Sequence, residues 1–90
     1  MKILDAWAMG KAVVSTSIGC EGLEAVDGVN ILIRDDPGAF AQAVDEVLDD
    51  PALRRRVGDA ARLTAERRYS WDVIANELKR LYLPLVQPRR

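Results

Sequence analysis

Two short apolar runs constrain the fold of this chain more than any other feature. Ala12-Val13-Val14-Ser15-Thr16 is β-branched and apolar, and Ile31-Leu32-Ile33 follows after a polar, glycine-bearing stretch. Both read as strands buried on two faces, and the length of the connection points to parallel pairing. Two strands make a poor sheet by themselves, since buried strands need neighbours on their edges and cover on their faces. The pattern therefore predicts one edge of a larger α/β sheet, with short parallel strands at about 12–16 and 30–34.

Helices account for the rest. Ile3, Leu4, Trp7 and Ala8 recur at helical spacing over 2–9, and Gly10 sits where a helix terminates. This helix has no capping residue, so its start is expected upstream of Met1. Asp36-Pro37 and Asp50-Pro51 each supply a cap followed by a proline at the first helical position. They predict helices over about 37–49 and 51–68. The inward stripe of the first is Phe40, Val44, Val47 and Leu48. That of the second is Leu53, Val57, Ala60, Ala61 and Thr64. Ser70 caps a last helix over about 70–83 with Asp72 in its first turn. Its stripe is Trp71, Ile74, Ala75, Leu78, Leu81 and Tyr82, and a mobile tail over 84–90 follows Pro84. Both tryptophans are expected to pack in the core.

Composition removes several chemistries. The 90 residues hold no histidine and one cysteine, Cys20. A disulfide within the chain, a Cys-His or Ser-His pair and a zinc centre are all excluded. No metal or cofactor is expected. Net charge is −1, from 13 basic and 14 acidic residues, which argues against a nucleic-acid binder. The sum hides a split: the first half is strongly acidic and the second strongly basic. No apolar run approaches the roughly 18 to 20 residues of a membrane span, and the first residues are unlike a signal peptide. A cytoplasmic location is expected, at most peripheral to the inner membrane.

The run Lys2-Ile3-Leu4-Asp5-Ala6-Trp7-Ala8-Met9-Gly10-Lys11-Ala12-Val13-Val14-Ser15-Thr16 resembles the family-4 glycosyltransferases, enzymes of the GT-B fold. The likeness continues through Gly19-Cys20-Glu21-Gly22-Leu23, Asp27-Gly28-Val29-Asn30-Ile31-Leu32 and Asp49-Asp50-Pro51. It ends at Arg68-Tyr69-Ser70-Trp71. The resemblance implies that residues 1–90 are part of a Rossmann-like domain that binds a nucleotide-sugar donor. It implies a retaining transfer of sugar from a nucleoside diphosphate to an acceptor hydroxyl. The family carries two glutamates eight positions apart, and the second, which binds the donor ribose, falls at Asp5. Aspartate is one methylene shorter than the family's residue. The first glutamate, the basic diphosphate clamp and the acceptor domain would all precede Met1, so the chain alone is expected to be inactive.

Each candidate has a structural alternative. Asp5 would accept hydrogen bonds from a ribose diol, or simply stabilise a helix start. The 15–22 loop leaves the carboxyl end of a strand, where α/β sheets bind ligands. Ser17, Gly19, Cys20 and Gly22 would face the donor there, with free amides as donors. The alternative is a plain connection with positive φ at two glycines. Arg54-Arg55-Arg56, Arg62, Arg67 and Arg68 either meet an anionic membrane surface or form a solvated helix face, supported by Arg55–Asp59 and Arg62–Glu66 pairs. A non-enzymatic module that covers its open sheet edge by homo-oligomerisation is the competing function.

Overall fold

The computed structural model describes residues 2–69, 75, 76 and 78–81. The order is α1 (Lys2–Ala8), β1 (Val14–Ser15), β2 (Leu32–Ile33), α2 (Pro37–Asp49) and α3 (Pro51–Arg68). The strands pair in parallel, with Val14 opposite Leu32 and Ser15 opposite Ile33. The expected α/β class is thus observed, with strands shorter than the apolar runs that contain them. Residues 75, 76 and 78–81 are helical; Ser70, Trp71, Asp72, Ile74, Tyr82 and the 84–90 tail lie outside the described residues.

Side-chain alternation along the strands creates two apolar clusters on opposite faces. Val13, Ile31 and Ile33 turn to one side, with Trp7 of α1 and Ala61 and Ala65 of α3. Ala12, Val14 and Leu32 turn to the other, against Ala43 and Val47 of α2. The sheet is therefore covered on both faces, as its composition demands. Trp7 is fully buried, and its ring meets that of Tyr69 at 6.5 Å between centroids and a 52° tilt. That tilted geometry suits the ring quadrupoles. The Trp7 indole N–H has no hydrogen-bond partner among the described residues.

The helix ends follow the local chemistry. Gly10, at φ +71°, terminates α1: its N–H donates to the Trp7 carbonyl (2.9 Å) and that of Lys11 to Ala6 (3.0 Å). This pair of bonds is a Schellman motif, and the left-handed residue it needs is a glycine. The Asp36 carboxylate accepts from the Ala39 amide, and that of Asp50 from Ala52 and Leu53. Both Asp-Pro starts thus cap as expected.

The inward faces are shifted from the predicted stripes. On α2 the buried residues are Ala43 and Val47, whereas Leu48 is 65 % exposed. The sheet face needs a small residue at Ala43 to let α2 approach Leu32, and this turns Leu48 outward. On α3 the buried set is Val57, Gly58, Ala61 and Ala65; Leu53, Ala60 and Thr64 are half-buried. The small side chains let α1 pack closely.

The outer edge of β2 is occupied. The Asp27 carboxylate accepts from the Ile33 N–H (2.9 Å), and the Gly28 N–H donates to the Ile31 carbonyl (2.8 Å). The backbone groups that an additional strand would need on that side are consumed. The Val14 N–H and C=O point away from β2, onto an edge that no described strand covers.

Candidate functional site

Parallel pairing brings the carboxyl ends of β1 and β2 together. The chain leaves β1 into residues 16–22 and leaves β2 at Arg34 and Asp35. One side chain joins the two exits: Asp35 accepts from the Ser17 N–H (2.8 Å) and from the Ser17 hydroxyl (2.5 Å). These bonds, the hydroxyl first, hold the Asp35 carboxyl below its ordinary pKa. An open cavity of about 360 Å³ lies beside them, lined by Thr16, Arg34, Asp35, Pro37 and Phe40. A larger groove of about 550 Å³ lies at the opposite, amino-terminal end of β1, away from these loops.

Three amides of the loop, those of Gly19, Cys20 and Glu21, are used internally. The Gly19 N–H donates to Thr16 Oγ1 (3.0 Å), and Cys20 donates to the Thr16 carbonyl (3.3 Å). Ser17 is committed to Asp35. Of the four predicted loop residues only Gly22 keeps an amide without a partner among the described residues, at φ +85° with open space around it. Gly19 has no positive φ; it is needed for room, because a Cβ there would lie 2.6 Å from Ser15 Oγ. The second left-handed glycine is Gly28, at φ +78°. Cys20 is buried in the cluster with Trp7 and Ile31, and its thiol lies 3.7 Å from the Ser17 carbonyl. It anchors the loop to the core.

Asp5 is exposed on the first turn of α1, and its carboxylate has no partner among the described residues. Ile3 and Leu4 pack on the cluster that holds Cys20, so the start of α1 and the 16–22 loop share one apolar support.

Besides Asp35, two residues with clear local roles were not singled out by sequence reasoning. Asp27 binds the Ile33 amide and, at 3.0 Å, the Arg34 guanidinium; the amide first and then the arginine lower its pKa. Asn30 is buried and fully bonded: its Oδ1 accepts from Val26 N–H, and its Nδ2 donates to the Glu24 carbonyl and Thr64 Oγ1. A polar residue directly before an apolar strand was the available signal for Asn30. For Asp35 it was the position just beyond a strand's carboxyl end.

Most of the arginines are engaged within the fold. Arg54 donates to the Val47 and Leu48 carbonyls, capping α2, and Arg56 donates to the Gly28 carbonyl. Arg62 pairs with Glu66 at 3.0 Å and Arg68 with Glu24 at 2.8 Å. The expected Arg55–Asp59 pair does not form among the described residues. No described helix is long and apolar enough to cross a membrane, and no metal-binding cluster occurs among the described residues.

The family model for glycosyl transferases group 1 matches residues 1–50. The chain belongs to this glycosyltransferase family. It is 34% identical over 89 residues to a D-inositol 3-phosphate glycosyltransferase of Streptomyces avermitilis, covering 97% of this chain and 19% of that protein. A glycogen synthase of Mycobacterium tuberculosis is 36% identical over 83 residues, covering 89% of this chain and 20% of that protein. A phosphatidyl-myo-inositol mannosyltransferase of the same organism is 35% identical over 86 residues, covering 89% and 22%. The chain thus spans about a fifth of the length of the curated relatives it matches. No solved structure matches it. The parallel strand pair with helices on both faces is the α/β arrangement expected of a GT-B glycosyltransferase segment.

Proposed function

We propose that residues 1–90 form part of the donor-binding domain of a retaining glycosyltransferase that uses a nucleoside-diphosphate sugar. Asp5 receives the donor ribose, and the 16–22 loop faces the donor with the Gly22 amide as its open hydrogen-bond donor. The observation that carries this reading is the Ser17–Asp35 clamp, which fixes two loops at the carboxyl ends of parallel strands in a chain of this family. The free Asp5 carboxylate supports it. The uncovered edge of β1 is where further parallel strands of the domain would add, and the sealed edge of β2 is its outer limit.

In this reading catalysis is positioning and stabilisation of the leaving diphosphate. The basic clamp and acceptor domain that the family uses are not among these residues, so the chain by itself does not turn over. Its location is cytoplasmic. The engagement of Arg54, Arg56, Arg62 and Arg68 within the fold supports the structural reading of the arginines over a membrane contact.

Amide NMR titration with UDP-glucose and GDP-mannose, each to about 10 mM to capture weak affinity, tests the site. Resonances of Asp5, Ser17 and Gly22 should shift with one of them and not in the Asp5→Ala variant. Silence of these amides with both donors sinks the assignment. Sugar transfer above a heat-denatured control would refute the inactivity.

A further inference from the structure

The groove at the amino-terminal end of β1 is distinct from the proposed donor face. It is bounded by Met9, Lys11, Val47, Leu48, Arg54 and Arg55, and no acidic residue lines it among the described residues. Met9 and Leu48 are 69 % and 65 % exposed there. Arg54 is held by the α2 carbonyls, so Lys11 and Arg55 supply its uncommitted positive charge. Directly beside it, α2 presents a strip of opposite sign: Asp45, Glu46 and Asp49, none of them ion-paired among the described residues. Leu48 lies one turn from Asp45 on the same helix, between groove and strip.

We infer that this corner is a self-complementary surface that docks a second copy of the chain. A two-fold axis near Leu48 sets the acidic strip of each copy over the cationic groove of the other, with Met9 and Leu48 apolar at the centre. Charge complementarity selects this occupant: the groove needs an anionic partner with an adjoining apolar side chain, and α2 carries both. The same contact leaves the Ser17–Asp35 clamp uncovered.

Light scattering after size exclusion, over roughly 10 μM to 1 mM, tests this with the full chain and two variants. One variant carries Lys11→Glu and Arg55→Glu; the other carries Asp45→Lys and Asp49→Lys. All four side chains are exposed, and circular dichroism verifies folding. The native chain should show a mass near twice 10.0 kDa. Each variant alone should dissociate at least about tenfold more readily, because like charges then face each other. Mixed together they should form a one-to-one dimer, since one contact is then native and the other has both its signs exchanged, so both attract. Adding Leu48→Ser to both should abolish that dimer, whereas unspecific attraction between opposite charges would survive it. A monomeric native chain, variants that dimerise like it, a mixture that stays monomeric or a mixed dimer indifferent to Leu48→Ser each overturns the proposal.

Discussion

Gly58 of α3 lies against the carbonyl of Gly10 at the end of α1, so closely that a Cβ on Gly58 would overlap the Gly10 oxygen. The two glycines are adjacent for different reasons. Gly10 supplies the left-handed turn that stops α1, and Gly58 supplies the space into which that turn fits. Together they set how closely α1 approaches α3 and so how completely Trp7 is buried.

Helix propensity alone would have Gly58→Ala stabilise α3 by about 1 kcal/mol. Overpacking against the Gly10 backbone costs about 1–3 kcal/mol, so the net effect should be destabilising. Urea unfolding of the variant should show a lower midpoint. A raised midpoint would contradict the close approach of Gly58 to Gly10. Gly10→Ala should also destabilise, by about 1–2 kcal/mol, through the left-handed backbone.

Asn30→Ala leaves the Val26 N–H and the Glu24 carbonyl without their side-chain partner beneath the 24–30 turn. Stranding a buried polar group costs about 1–3 kcal/mol, and because these bonds are part-buried the loss should be about 1 kcal/mol. Asn30→Asp should be destabilising as well, because a carboxylate cannot donate to Glu24 or Thr64. Thermal unfolding checks both; a variant as stable as the native chain contradicts the role assigned to Nδ2.

The lowered pKa values of Asp27 and Asp35 make stability depend on pH with a definite sign. Each carboxyl binds its proton less readily in the folded chain than its ordinary value of 3.8 describes. The unfolded chain therefore binds more protons below that value. The associated stability is present above about pH 4 and is lost as pH falls through the folded pKa values. Carboxyl-carbon NMR should place both titrations below 3.8. Asp27→Asn and Asp35→Asn should each flatten the acid limb of a stability–pH curve; an unchanged limb counts against the bonds to Ile33 and Ser17.

Asp50 serves α3 as its N-cap, accepting from Ala52 and Leu53 at 3.1 Å each. Asp50→Ala should cost about 0.5–2 kcal/mol, with Asp50→Asn recovering most of it. The measurement is guanidinium unfolding followed by far-ultraviolet circular dichroism. Equal stability of the alanine and asparagine variants would show that the side-chain cap contributes nothing.

Local chemistry determined much of this protein directly. Continuous apolar runs over residues 12–14 and 31–33 marked the strands and their burial on two faces. Asp36-Pro37, Asp50-Pro51 and Gly10 fixed helix ends, because caps, proline and left-handed glycine act within a few residues. Asp5 was visible through the resemblance to a family, and the 15–22 loop through its place after the carboxyl end of a strand.

What only the tertiary structure decided depends on residues far apart in the chain. It faced α2 inward through Ala43 instead of Leu48, because the sheet needed a small side chain there. It used Asp35 to hold Ser17 and Asn30 to reach Thr64. It also sealed one edge of β2 with Asp27 while leaving the edge of β1 uncovered. The periodicity of a helix reports a preferred stripe, but the partner's shape selects the face. A hydrogen bond across the fold leaves no local pattern, since its donor and acceptor meet only after the intervening chain has folded.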